Sequence, residues 1–418
     1  MVRESKVDWF TVLLYIIMIV TGWANLYSVV RDDNEVLWSM NTPYGRQLIF
    51  IGAALAGGII ILILDTKFLE FISYILYGLS LALLITTMFL PETRNTSSFI
   101  NLWGFGIQPT EFAKFSTIMA LAKYMSRYNF SMSRVQDVLL CGLLVIAPMG
   151  LILAQNDAGS ALVFPGLILI FFREGLHPLF LLALFTFVVV VVLTVLFAHS
   201  VAAVIILFIF IALFVMLIWF FVSQRKFLAV HLIAMGICFG IVLGGNLFIQ
   251  PHQSSRMRVL ITPEEKMSEP DKETYYNLRE SLVAIGSGGP LGKGFGNATH
   301  TRGDFVPEEH TDYIFCVISE EHGFLGASIL LLLFLVLLWR IIHMAENSKT
   351  RYARIYGYGA ASIIFMHVMI NVGMTIGLLP TIGIPLVFYS YGGSSMIAFS
   401  FMLFILMNHY SYRTNIMR

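Results

Sequence analysis

From Trp9 to Val30 the chain carries no charged side chain, and stretches of this kind recur along most of its length. About 20 apolar residues in a helix span the hydrocarbon of a bilayer, and in lipid only an internally hydrogen-bonded backbone is tolerated. These runs confine the chain to a bundle of transmembrane helices. Twelve candidate spans follow: 9–30, 47–64, 68–90, 109–126, 136–155, 158–172, 178–198, 201–223, 228–249, 313–341, 354–379 and 385–410. The pair 178–198 and 201–223 is almost wholly Val, Leu, Ile and Phe and reads as a lipid-facing helical hairpin. Composition agrees, with 58% hydrophobic and 12% charged residues, where an ordinary soluble domain has about 25% charged. The net charge of +1 selects no partner, and nucleic acid is not expected as one. Cys141, Cys238 and Cys316 lie in or beside apolar spans, which argues against a disulfide framework. The first run is too long for a signal-peptide core and no small-residue cleavage site follows it, so it is expected to stay as a span.

Loop charges set the expected orientation. With Arg3 and Lys6 in the cytoplasm, alternate loops carry Lys67; Lys123, Arg127 and Arg134; Arg173; Arg225 and Lys226; Arg340, Lys349, Arg351 and Arg354; and Arg413 and Arg418. The opposite short loops carry only Arg31, Arg46 and Arg94. This positive-inside pattern places both termini in the cytoplasm and the long polar loop 250–312 outside. The expected organisation is one integral membrane domain over 1–418, with 178–223 as an inserted hairpin and 250–312 as an extracytoplasmic catalytic loop.

Several polar stretches interrupt the apolar chain. Gln108-Pro-Thr-Glu-Phe-Ala-Lys114 places Pro109 where a first helical turn needs no N–H. Glu111 and Lys114 then share one helix face inside an apolar segment. Such a pair is expensive in a membrane, and it reads either as an internal salt bridge or as a grip on phosphate. Asp157, in Ala154-Gln-Asn-Asp-Ala-Gly-Ser160, reads first as a helix cap. Arg256 and Arg258 follow a span and suit either an anionic headgroup or interfacial anchoring. The glycine run 286–296 lacks the spacing of a phosphate-binding Walker loop around Lys293 and suits a tight, re-entrant segment. Pro307-Glu-Glu-His-Thr-Asp312 ends at the membrane edge. There Asp312 reads either as a charge favoured by a helix start or as a general base for a hydroxyl nucleophile. Gly377-Leu-Leu-Pro-Thr-Ile-Gly-Ile-Pro385 and Tyr389-Ser-Tyr-Gly-Gly-Ser-Ser395 suit close packing or non-helical backbone lining a cavity.

Taken together the sequence resembles the SEDS family of peptidoglycan glycosyltransferases, over nearly the whole chain. The resemblance rests on Gln108 to Lys114, Asp157-Ala-Gly-Ser-Ala-Leu162, Ser281-Leu-Val-Ala-Ile-Gly-Ser-Gly-Gly289, Pro307 to Phe315, and Asn371-Val-Gly-Met-Thr375 through Ser395. Gly294 to Phe305, Asn371 to Thr375 and Pro251-His-Gln253 look more like the elongation branch, RodA, than the division branch, FtsW. The chain departs from the family pattern at Phe99, Asn156, Glu280 and Val387, and its hairpin 178–223 is extra to a ten-helix core.

The resemblance implies an all-α SEDS-type bundle of about twelve helices. The implied activity is polymerisation of undecaprenyl-linked lipid II at the outer face of the bacterial cytoplasmic (inner) membrane, in cell-shape or elongation growth. Asp312 falls on the family's essential acid. Gln108, Glu111, Lys114, Arg256, Lys293, Glu308 and His310 are the expected substrate-binding residues. The implied partners are a class B penicillin-binding protein, elongation-complex membrane proteins and membrane lipids. No cofactor is required, with Mg2+ the expected cation if one takes part. Asp312 would deprotonate the acceptor 4-hydroxyl, and Lys114, Arg256 or the cation would stabilise the leaving pyrophosphate. Two rivals remain at this stage: a lipid-precursor flippase or transporter, and an inactive scaffold regulating a penicillin-binding protein.

Overall fold

The computed structural model describes residues 7–31, 36–90, 99–102, 105–176, 256, 259–260, 267–301 and 310–412. The expected hairpin 178–223, the expected span 228–249 and Glu308 lie outside the described residues. The chain divides into two compact units. One comprises Met1–Glu174, Glu280–Ile376 and Ile382–Arg418; the other comprises Gly175–Arg279 and Gly377–Thr381.

The first unit is a helical bundle. Its elements are α1 (Trp9–Val30), α2 (Pro43–Ile63), α3 (Thr66–Thr87), β1 (Ile100–Leu102), β2 (Phe105–Ile107), α4 (Pro109–Met125), α5 (Val135–Ala154), α6 (Ala158–Leu162) and α7 (Ile168–Arg173). After α8 (Glu269–Ser287), which runs across the boundary between the units, come α9 (Ile314–Glu346), α10 (Arg351–Thr375) and α11 (Gly393–Ser411). Local chemistry fixes several helix starts. The Thr42 side chain accepts from Gly45 N at 3.3 Å ahead of Pro43, and Asp65 accepts from Lys67 N at 2.9 Å. Thr350 caps α10 through Ala353 N at 3.2 Å.

Among the described residues seven helices are long and apolar enough to cross a membrane: α1, α2, α3, α5, α9, α10 and α11. This is a multi-pass membrane protein. Of the other five expected spans, 178–198, 201–223 and 228–249 lie outside the described residues. Span 109–126 is the 17-residue α4, about 25 Å long at 1.5 Å per residue. Nearly every residue of α4 is buried, which marks it as a core helix packed on several sides. It lies against α3, α5, α10 and α11, while α2 packs along α11 and α9 along α10.

The all-helical reading stands, with one small addition: two three-residue strands pair antiparallel, Ile100 with Ile107 and Leu102 with Phe105. Three expected spans need correction. Span 158–172 is not continuous. Pro165 cannot donate its backbone nitrogen, and a 3-10 turn, Phe164–Leu167, separates α6 from α7. Span 385–410 becomes helical only at Gly393; residues 382–392 are irregular, with Pro385 near their start and Phe388 at φ 65°. Span 313–341 runs on to Glu346 and breaks at Gly323, whose φ is 64° and ψ is −162°.

The break in α9 is filled by the glycine run. Phe324 N donates to Gly289 O at 2.8 Å and Leu325 N to Pro290 O at 3.1 Å. In return Lys293 N donates to Glu320 O at 3.0 Å and Gly294 N to Glu321 O at 2.9 Å. Each segment satisfies backbone groups that the other leaves open, which a buried break requires.

Candidate active site

Chain direction alternates through the first unit, so its helix ends form two groups. One group is tied by ion pairs: Asp8 with Arg340 at 2.7 Å, Arg173 with Glu346 at 2.8 Å, and Glu174 with Arg351 at 2.8 Å. The other group holds Gln108, Asp157, Gly288 to Thr301, Asp312, Asn371 and the irregular segment 382–392.

Asp312 lies just before α9. Its main-chain carbonyl accepts Asn371 Nδ2 at 2.7 Å, and the same nitrogen donates to Ile384 O at 2.7 Å. The Asp312 carboxylate lies against Gly383. A Cβ at that position would stand 3.0 Å from Asp312 Oδ2. Gly383 also has φ +78°, a conformation that costs glycine little and other residues more. Any side chain at 383 would crowd the carboxylate. His310 is pinned beside the same segment: its carbonyl accepts Tyr391 N at 2.9 Å, and the two rings lie 5.9 Å apart.

Gln108 and Asp157 form a second part of this end. Asp157 Oδ1 accepts Ser160 N at 3.0 Å and so caps α6. Its Oδ2 accepts Gln108 Nε2 at 3.1 Å, and Gln108 N donates to Ser394 Oγ at 2.9 Å. One carboxylate therefore links the starts of α4 and α6, and Gln108 carries the link to α11. Gly159 closes the group, since a Cβ there would stand 3.1 Å from both Gly383 O and Ile382 O.

Lys114 sits deeper along α4. Its ammonium donates to Glu111 Oε1 at 2.6 Å and lies 2.9 Å from His367 Nε2, with both members of the ion pair 1% exposed. The second carboxylate oxygen of Glu111 is buried without a hydrogen-bond partner among the described residues. The internal salt bridge, one of the two sequence readings, is therefore present.

Lys293 is held in another cluster. Glu320, fully buried in α9, accepts Lys293 Nζ at 2.6 Å, Thr299 N and His300 N at 2.9 Å each, and Thr301 N at 3.0 Å. Its neighbour Glu321 accepts Ser28 Oγ and Gly296 N, each at 2.9 Å. Two carboxylates thus organise the turn that leads toward the Asp312 segment. Arg256 belongs to the second unit and Glu308 lies outside the described residues. Among the described residues no group of three or more His, Cys, Asp or Glu is gathered closely enough to hold a metal ion.

Sequence reasoning did not single out His367, Glu320, Glu321 or Gly383. The acidic pair at 320–321 had a signal, two carboxylates inside an apolar run. His367 had a weaker one, a histidine one turn before Asn371 in an otherwise apolar stretch.

The FtsW/RodA/SpoVE family model, described as a cell cycle protein, matches residues 7–208 and 176–415. The chain is 30% identical over 422 residues to the peptidoglycan glycosyltransferase RodA of Treponema pallidum (strain Nichols), covering 94% of each chain. It is also 30% identical over 306 residues to the peptidoglycan glycosyltransferase MrdB of Escherichia coli (strain K12), covering 73% of this chain and 68% of that one. Its fold matches a chain solved in work on the structural coordination of polymerization and crosslinking by a peptidoglycan synthase complex. That match has a TM-score of 0.71 and 25% identity, and covers 98% of both chains.

Proposed function

The chain belongs to the FtsW/RodA/SpoVE family, and on that premise we propose that it is a peptidoglycan glycosyltransferase of the RodA type, polymerising lipid II for elongation growth. Support comes from relatives named for that activity, which align with most of this chain. The observation that carries the catalytic assignment is the seat of Asp312. Its main chain is tied by Asn371 and its carboxylate rests in the gap left by Gly383.

Asp312 acts as the general base. It takes the proton from the 4-hydroxyl of the acceptor sugar, and that oxygen bonds to the anomeric carbon of the donor. The bond from this carbon to the lipid pyrophosphate breaks on the opposite face, so configuration inverts. The pyrophosphate leaves with the electron pair, and the proton on Asp312 passes to solvent. The leaving group needs positive charge nearby. Lys114 is already paired with Glu111 and His367, which leaves the third N–H of its ammonium for a phosphate. Mg2+, which binds phosphates with few protein ligands, would supply further positive charge there. Gln108, Glu111, Glu308, His310 and Lys293 complete the proposed substrate-binding set, with Lys293 acting from its anchor on Glu320.

The ion-paired ends of the first unit, rich in Arg, face the cytoplasm together with both termini, and Asp312 faces outward. There a class B penicillin-binding protein crosslinks the strands, alongside other elongation-complex membrane proteins. The test is incubation of purified protein with labelled lipid II, with and without that partner. Wild type yields polymer and Asp312→Asn yields none while remaining folded. Polymer from Asp312→Asn at the wild-type rate removes Asp312 as the base.

A further inference from the structure

His367 and Asn371 stand one turn apart on α10, and both reach consecutive carbonyls of the irregular segment. His367 Nδ1 lies 3.2 Å from Pro385 O, and Asn371 Nδ2 lies 2.7 Å from Ile384 O. Each residue also makes a second contact. Asn371 donates to the carbonyl of Asp312 at 2.7 Å, and His367 Nε2 meets Lys114 Nζ at 2.9 Å. An ammonium has only donors, so His367 Nε2 accepts and Nδ1 carries the proton given to Pro385 O. Both side chains are fully buried. We propose that His367 and Asn371 are positioning residues. They form a two-point clamp that sets the 383–385 bend and holds the Asp312 carboxylate and the Lys114 ammonium in one register. The proposal rests on Asp312 being the base of the polymerase.

The geometry favours a clamp over simple packing. Gly383, against which the Asp312 carboxylate rests, immediately precedes the two clamped carbonyls, so movement of that bend moves the carboxylate's seat. A hydrocarbon side chain would fill the same space without linking α4, α10 and the Asp312 segment. The plain alternative is that the two residues only satisfy carbonyls left open by irregular backbone. That role would alter stability and leave the chemical step alone.

Two measurements on the full-length purified protein separate these roles. In lipid II turnover, His367→Leu and Asn371→Leu are expected to lower kcat by about 10- to 100-fold, the scale of a misplacement near 1 Å, with KM little changed. His367→Gln retains one donor and one acceptor and is expected to restore most of kcat. The second readout does not need activity. In an Asp312→Cys variant whose Cys141, Cys238 and Cys316 are replaced by alanine, a small water-soluble thiosulfonate reports how the residue at 312 is presented. Adding His367→Leu or Asn371→Leu changes the labelling rate several-fold, and adding His367→Gln does not. If leucine prevents folding at either site, His367→Ala and Asn371→Ala carry the same comparison. The clamp is overturned if kcat and labelling are both unmoved, or if His367→Gln is as impaired as His367→Leu. If wild type makes no polymer yet labelling responds as stated, the polymerase reading falls and the clamp stands.

Discussion

Glu111 and Lys114 illustrate how a membrane interior treats charge. Both are 1% exposed and 2.6 Å apart. Removing one partner of such a pair leaves an uncompensated buried charge, at a cost of about 3–5 kcal/mol. Glu111→Ala and Lys114→Ala should each lower the unfolding temperature clearly, and Glu111→Leu combined with Lys114→Met should recover most of that loss. Lipid II turnover then divides the roles of Lys114. If the lysine serves the pyrophosphate, the double variant folds but stays slow, and Lys114→Arg restores activity only in part, because a planar guanidinium does not replace an ammonium. Full activity in the double variant would make the pair purely structural. The pair itself is legible in the sequence, from its spacing within an apolar segment. Its third member is not, because His367 lies 253 positions away and only the packing of α10 against α4 brings it near. Asp312 is legible as an acid at a membrane edge. Its seat against Gly383 is not, since that depends on the backbone path through residues 382–392.

At the scale of elements, apolar run length located the seven helices that, among the described residues, are long and apolar enough to span, but it missed where such runs break. The run after Tyr313 carries Glu320-Glu321-His322 directly before Gly323, yet helical periodicity alone does not show that the helix breaks there. The break exists because the Gly288–Gly294 segment supplies substitute hydrogen bonds. Gly323→Ala would place a Cβ at φ 64° and only 2.7 Å from Gly289 O and Leu291 N. The backbone strain alone is worth about 1–3 kcal/mol, so a marked fall in unfolding temperature is expected; an unchanged midpoint would show that the segment yields easily. Glu320 tests the same junction from the side-chain direction. Glu320→Gln keeps the shape but replaces the charge that Lys293 and the 299–301 amides point to. Trypsin should then cut after Lys293 faster than in wild type, and equal cleavage rates would mean that the carboxylate does not secure the turn.

For the whole molecule, the decisive property is the separation of two kinds of polar chemistry in the first unit. Arg173, Arg340, Arg351 and Arg354 are compensated by Asp8, Glu346 and Glu174 at one set of helix ends. Gln108, Asp157, Asp312 and Asn371 gather at the other. Sequence charge counting and helix direction agree on this division, although they are independent: one counts cations in loops and the other follows the path of the chain. The division predicts a definite sidedness. In a cysteine-free background, Phe295→Cys, at a residue 50% exposed, should react with a membrane-impermeant maleimide in intact spheroplasts. Tyr128→Cys, at a fully exposed residue in the α4–α5 loop, should react only after the membrane is opened. Deleting 178–223 should leave both results unchanged, because the two-helix hairpin expected there from the sequence would return the chain to the side from which it entered. Labelling of Phe295→Cys solely from the cytoplasmic side would invert the molecule. Asp312 would then face away from substrate at the outer leaflet, and the polymerase reading would fail on topology alone.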